Sequence, residues 1–363
     1  MNFDLTEEQD LFMSTVEKFT ASIDFAARNA LRANVGGYDR VRWRTLAELG
    51  LIALAVDEDS GGIGGSLVDL MVVAETLGKG NSPDPWIENG VLPARLLAAG
   101  GANVALAAVL DGSQIAAFAF AEHSFGYSLS PQNVIAKAAD DGTYLLSGKK
   151  TFVLGGAIAD LLIISADCDG TAGLFVVPAD IDGIQRRDYR VADGSMAAEI
   201  EIHNVSVAGD TRLNLGADSF DDVIAEVRLL ASAEIVGLAQ RCLDDTLTYV
   251  KQREQFGVPI STFQVIQHRL VDCYSAFELA RSMLLRTALS ARNGKPEWRA
   301  EVCGAKYFIG QNANMIARDA VQMHGGMGIT DELATGHAMK RISLLMRLFG
   351  HSVTDPASSL EAA

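Results

Sequence analysis

The chain has 363 residues, 49% of them hydrophobic and 21% charged, and carries a formal net charge of −16. That length can bury a large core in two or three domains, and the composition is too apolar for a disordered chain. The acidic balance argues against a nucleic-acid groove or an anionic membrane surface as partner, but leaves a small anionic ligand open to a few local basic side chains.

The opening "MNFDLTEEQDLF" lacks the charged start and apolar run of a secretory signal, and no apolar stretch reaches the roughly 20 residues that cross a bilayer. Residues 5 to 112 read as helical. "TEEQDLFMSTVEKF" starts with Thr6 as an N-cap and an acidic first turn, and "WRTLAELGL" is a short amphipathic helix stopped by Gly50. In "DEDSGGIGGS" the glycines let the backbone turn tightly between helices; no strand precedes them, so a dinucleotide-binding loop is not indicated. "LVDLMVVAETLG" then resumes the helical period.

From 114 to 210 the pattern changes to short strands: "QIAAFAFAE", "YLLSGKKTFVLG", "DLLIISAD", "GLFVVPA" and "AAEIEIHNVSV", separated by turn residues. This spacing predicts an antiparallel β-domain, with one solvated face where "EIEIHNV" alternates. The helical period returns at 218–253, 263–293, 297–324 and 331–348, with Leu243, Leu247 and Val250 on one stripe and Ala276, Leu279 and Met283 on another. The expected fold is α+β: an N-terminal helical domain (1–113), a middle β-domain (114–212) and a C-terminal four-helix bundle (213–363). Cys168, Cys242, Cys273 and Cys303 form no CxxC pair, which reads as four inert thiols in a reducing, cytoplasmic compartment. His324, His337 and His351 have no metal-ligand spacing with acids; His324, beside a glycine pair, reads as a cofactor-region or surface residue.

Four stretches in order, "LGLIALAVDEDSGGIGGS", "SGKKTFVLGG", "VGLAQRCLDDTLTYVKQREQFGVPISTFQVIQHRLVD" and "AVQMHGGMGIT", resemble the acyl-CoA dehydrogenases, over Leu5 to Gly350. "REQFGVPISTFQVIQHR", "QMHGGMGIT" and "GHAMKRISLLMRLFG" are similar to the small subunit of pimeloyl-CoA-type dehydrogenases, whose paired relatives act on steroid side chains. The resemblance implies FAD as cofactor, an acyl-CoA substrate and an electron-transferring flavoprotein or similar acceptor. A carboxylate removes the proton α to the thioester while the β-hydrogen leaves as hydride to the flavin. In the family's homotetramers each flavin is shared: its ring lies in one subunit's β-domain cleft, and its pyrophosphate and adenine touch the neighbour's helical bundle.

The neighbour-facing half is intact by this resemblance: Arg253 for phosphate oxygens, Phe256 for the adenine region, then Gln267, Gln322, Gly325 and Gly326. The ring-facing half is altered. The family's "YxVTEPxxGSD" becomes "FAFAEHSFGYS", with Phe118, Phe120 and Ala121 at its start and Tyr127 and Ser128 in place of Ser-Asp. The "WIT" strand becomes Phe152, Val153 and Leu154, so two flavin-bonding hydroxyls are lost.

The base is missing as well. Aligned on "GGMGIT", the usual glutamate position holds Phe349, followed by the family's glycine as Gly350. The alternative position on the helix before "GLAQR" holds Val227; Glu226 is about 100° around that helix and Glu234 nearly two turns on. The stripe Leu344, Leu345, Leu348 and Phe349 reads as core. The expectation is a non-catalytic small subunit of a heterotetramer, whose paralogous large subunit supplies the base and ring pocket for a bulky or dicarboxylic acyl-CoA. Three alternatives remain open: a self-sufficient homo-oligomer with a relocated acid, an acyl-CoA-binding or structural subunit without flavin, and different flavin chemistry on the same fold.

Overall fold

The computed structural model describes residues 5–23, 25–33, 37–123 and 129–350. The chain divides into two compact units, one made of Met1–Ala30, Leu67–Ser82 and Arg228–Ala363, the other of Leu31–Ser66 and Pro83–Val227.

The helices follow the sequence pattern. They are α1 (Glu7–Ala21), α2 (Phe25–Ala33), α3 (Arg40–Glu48), α4 (Leu67–Lys79), α5 (Leu92–Ala99), α6 (Asn103–Leu110), α7 (Ala217–Gln252), α8 (Gln264–Arg292), α9 (Trp298–His324) and α10 (Ala334–Leu345). Thr6 caps α1 as expected: its hydroxyl accepts from Gln9 N while the Gln9 side chain accepts from Thr6 N, closing a capping box. A π-helical turn, Trp86–Val91, precedes α5.

In the first unit α4 and α7 approach closely because glycines face each other's backbone. A Cβ at Gly237 would run into the Glu75 carbonyl, and one at Gly78 into the Glu234 carbonyl. α8 and α9 pack together; Cys273, Ala276, Phe277, Ala280 and Leu284 are buried on the first, and Val302, Ile309, Ala313 and Ile316 on the second. Leu279, expected in this seam, is 57% exposed. The buried stripe follows positions 273, 276, 277, 280 and 284, which turns 279 outward.

The second unit holds a seven-stranded sheet: β1 (Ala116–Ala119), β2 (Ile135–Ala138), β3 (Tyr144–Leu154), β4 (Leu161–Cys168), β5 (Thr171–Pro178), β6 (Ile184–Arg190) and β7 (Met196–Val207), in the order β1-β4-β2-β3-β7-β6 with β5 also on β4. The long pairings β3–β7, β4–β5 and β6–β7 are antiparallel as expected. The expectation of a purely antiparallel sheet is corrected at β1, which runs parallel to β4 with Phe118 opposite Ile163, and at β2, which meets β4 in parallel through Ile135 and Asp167. All four β1 residues are buried, the continuous apolar pattern that parallel pairing favours. β2 and β6 were not among the predicted strands; β6, "IQRRDYR", is an exposed edge whose charges guard against further pairing.

Candidate functional site

The ring-facing candidates lie in the second unit, at the end of β1 and along β3. Phe118 and Phe120 stack with centroids 5.3 Å apart and planes at 28°, and Phe118 also meets the edge of Phe220 at 6.0 Å. Phe118, Phe120, Ala121 and Leu154 are between 2% and 7% exposed. Phe152 sits at a bulge in the β3–β7 ladder, between Lys150 and Val153, with φ of +50°. Its side chain is half-buried. These positions present apolar side chains and no hydroxyl. Tyr127 and Ser128 lie outside the described residues.

Beneath this wall is a cluster that the sequence reading overlooked. Lys150 is wholly buried and donates to Glu122 Oε1 at 2.7 Å, Ser165 Oγ at 2.9 Å and the Phe120 carbonyl at 3.1 Å. Glu122 in turn accepts from the backbone N–H groups of Gln132, Asn133 and Val134 at 3.0, 2.7 and 3.2 Å. Burial lowers the Lys150 pKa to about 8, against the pull of Glu122. Burial opposes charge on Glu122 too, but Lys150 and the backbone donors outweigh it and hold its pKa below the usual range. The cluster ties the segments on both sides of residues 123–131 to β3 and β4. An acid in the 118–128 stretch and a lysine on the next long strand were its sequence signals.

The neighbour-facing candidates lie in the first unit and are exposed without exception. After α7 the chain forms a short hairpin, β8 (Glu254–Gln255) and β9 (Val258–Pro259), whose tip carries Phe256 at φ +56° and Gly257 at φ +81°. Phe256 is 93% exposed and meets the edge of Phe263 at 6.2 Å. The Arg253 guanidinium makes no hydrogen bond or ion pair to any described residue, while Gln267 donates to the Ser261 carbonyl at 3.0 Å. Gln322, Gly325 and Gly326 are exposed where α9 ends, and a Cβ at either glycine would meet nothing within 4 Å. An uncommitted arginine, a presented aromatic ring and open glycine backbone fit the phosphate and adenine end of a dinucleotide.

His324 does not lie on this surface. It is 6% exposed, stacks on Tyr249 at 4.3 Å, and its Nδ1 is 2.8 Å from the Ala320 carbonyl. The sequence could not show this, because Tyr249 lies on another helix.

Neither candidate base position, Phe349 or Val227, offers a side-chain proton acceptor. Phe349, 2% exposed, closes the turn after α10 at φ +56°, next to Gly350 at φ +114°. Arg228 Nε donates to the Phe349 carbonyl at 2.7 Å, and Lys306 donates to the carbonyls of Met346 and Gly350 at 2.9 and 3.2 Å. Leu344, Leu345 and Leu348 are buried beside it, as expected. Val227 is wholly buried on α7. The nearby acids are committed elsewhere: Glu226 pairs with Arg95 at 3.2 Å, and Glu234 takes a two-pronged bond from Arg341 at 2.6 and 3.1 Å. His351 lies outside the described residues. Among the described residues no group of histidines, cysteines and acids could hold a metal, and no helix is long and apolar enough to cross a membrane.

Comparison with known proteins settles the family. The acyl-CoA dehydrogenase N-terminal domain matches residues 6–104, and the acyl-CoA dehydrogenase C-terminal domain matches residues 214–352. The chain belongs to the acyl-CoA dehydrogenase family. Members use FAD and oxidise CH–CH bonds, and the succession of helical, β and helical domains is theirs. The probable acyl-CoA dehydrogenase YngJ of Bacillus subtilis is 28% identical over 364 residues, covering 95% of each chain. Butyryl-CoA dehydrogenase from Megasphaera elsdenii superposes with a TM-score of 0.88 at 25% identity, over 100% of this chain and 99% of the other. A variant of the Tcur3481-Tcur3483 steroid ACAD superposes with a TM-score of 0.87 at 25% identity, over 98% of this chain and 99% of that one. The acyl-CoA dehydrogenase fold is thus present, with Phe349 and Val227 at the positions where the sequence reading looked for a base.

Proposed function

We propose that this chain is the small, non-catalytic subunit of an FAD-dependent acyl-CoA dehydrogenase heterotetramer acting on a bulky or dicarboxylic acyl-CoA in the cytoplasm. The observation that carries this reading is an asymmetry between its two half-sites. The adenine-side residues Arg253, Phe256, Gln267, Gln322, Gly325 and Gly326 are exposed and fit the cofactor. Phe118, Phe120, Ala121 and Leu154 on the ring side are buried and carry no hydroxyl, and do not fit the polar ring of a flavin.

FAD, when bound, supplies the hydride acceptor for the β-hydrogen. This chain's part is to hold the far end of a cofactor whose ring sits in a paralogous large subunit. Arg253 would hold the pyrophosphate, Phe256 would cover the adenine region, and the Gly325–Gly326 backbone would allow close approach. The partner would supply the α-proton base, and an electron-transferring flavoprotein or similar acceptor would reoxidise the complex. The test is turnover by the chain purified without a partner, using an artificial electron acceptor and a panel of acyl-CoAs. No dehydrogenation is expected, and Phe349→Glu alone should not restore it, because Ala121 and Leu154 remain. Substantial turnover by the isolated chain would refute the subunit reading.

A further inference from the structure

Apart from the flavin half-sites, the first unit contains a cavity of about 250 Å³ where α1, α2, the end of α4, α7 and the start of α10 meet. Its wall includes Thr20, Arg28, Gly80, Asn81, Arg241 and Ala334. Among the described residues two guanidinium side chains and no carboxylate line it, in a protein of net charge −16. Guanidinium groups in the wall offer N–H donors and positive charge to an anion, although Arg241 is also paired with Asp245.

The state of the polar groups narrows the ligand further. Arg241 Nε is held by Asp245 at 2.6 Å, one turn along α7, while its two Nη atoms donate to no described residue. The guanidinium is thus oriented by one end and leaves the other to a ligand, the arrangement that suits a bidentate oxyanion. Asn81, 3% exposed, adopts φ of +50° at the end of α4 and donates from Nδ2 to the Ala334 carbonyl at 3.3 Å. That bond fixes which end of the amide is which, since a flipped Asn81 would set oxygen against oxygen. Its Oδ1 is buried and has no hydrogen-bond partner among the described residues. An orphaned buried acceptor costs free energy unless a donor reaches it.

We propose that this cavity is a binding site for inorganic phosphate, held by the Arg241 Nη atoms and the Arg28 charge, with its own O–H donating to Asn81 Oδ1. Phosphate at neutral pH keeps at least one O–H; sulfate has the same shape and no proton to give. The site is independent of the flavin reading.

The experiment is isothermal titration of the full chain at neutral pH and constant ionic strength, with inorganic phosphate and then with sulfate. Phosphate should bind saturably, and sulfate about 10-fold more weakly or worse, because it would leave Asn81 Oδ1 unpaired. Arg241→Gln should weaken phosphate binding by about 10- to 100-fold through loss of a charge-assisted contact. Asn81→Gly, which tolerates the left-handed backbone, should abolish the preference for phosphate over sulfate. Should that variant fail to fold, the comparison of the two anions on the unaltered chain still decides. Absence of saturable phosphate binding at millimolar concentrations, equal affinity for the two anions, or unchanged binding by Arg241→Gln would each overturn the proposal.

Discussion

Replacing Lys150 with methionine tests how the wall of the β-domain is held. Methionine keeps most of the buried stem but removes the charge from a side chain with no exposure, leaving Glu122, 2% exposed, without its cation. Breaking a buried pair from one side typically costs about 3–5 kcal/mol. Here the carboxylate keeps three backbone donors, at 3.0, 2.7 and 3.2 Å, which places the expected loss toward the lower end, about 3 kcal/mol. The Phe120 carbonyl and Ser165 hydroxyl lose their donor as well, which adds to the loss. Against a typical domain stability of about 5–15 kcal/mol that change is large. The assay is urea unfolding of the unaltered chain, Lys150→Met, Glu122→Gln and the double variant. The double variant should be less destabilised than the sum of the two singles, because removing both charges leaves no stranded ion. A loss below about 1 kcal/mol in Lys150→Met, or strict additivity, would refute the view that this pair anchors the segments flanking residues 123–131.

Two further outcomes follow from the sites. Arg253→Ala should weaken flavin retention in the co-purified complex by roughly 10- to 100-fold, with Arg253→Lys recovering only part, while loss of the exposed Arg292 should leave flavin in place; occupancy after dialysis is the readout. Burial raises the Glu226 pKa against the pull of Arg95, so between the unfolded and native titrations the native state holds a proton that the unfolded state has released. This group therefore adds stability as the pH falls through its native titration toward the unfolded value of about 4.3, and Glu226→Gln should flatten that increment in urea midpoints measured across this window.

Much of this fold is legible in the chain because its signals are local. The apolar period of α7, α8 and α9 sets their ends to within a residue or two of 218–253, 263–293 and 297–324, and Thr6 with Gln9 marks the start of α1. β6 escaped because "IQRRDYR" has no apolar alternation: an edge strand needs only backbone pairing with β7. The parallel contact of β1 with β4 joins residues 45 apart, such as Ala116 and Leu161, and no local pattern encodes it. The site divides in the same way. That Ala121 and Leu154 carry no hydroxyl and Phe349 no carboxylate is plain in the letters, and the resemblance to the family is what made those positions candidates. The stacking of Phe118 on Phe120, the Lys150–Glu122 cluster and the burial of His324 against Tyr249 depend on partners brought together by the fold. Leu279 shows the limit of a short stripe: it follows Ala276 by three residues, but the buried face runs through Cys273, Ala276, Phe277, Ala280 and Leu284 and leaves it outward.

The central claim, that this chain contributes one half of a shared flavin site, is tested most directly by counting flavin in a complex purified with the proposed acyl-CoA dehydrogenase partner. The complex should be denatured, its released flavin measured by absorbance, and its protein quantified for each chain separately. If every flavin requires a ring pocket from the partner and an adenine-side surface from this chain, a tetramer of two and two holds about two flavins. Four flavins per tetramer would mean that the β-domain containing Phe118, Phe120 and Phe152 binds a ring of its own, and would contradict the account.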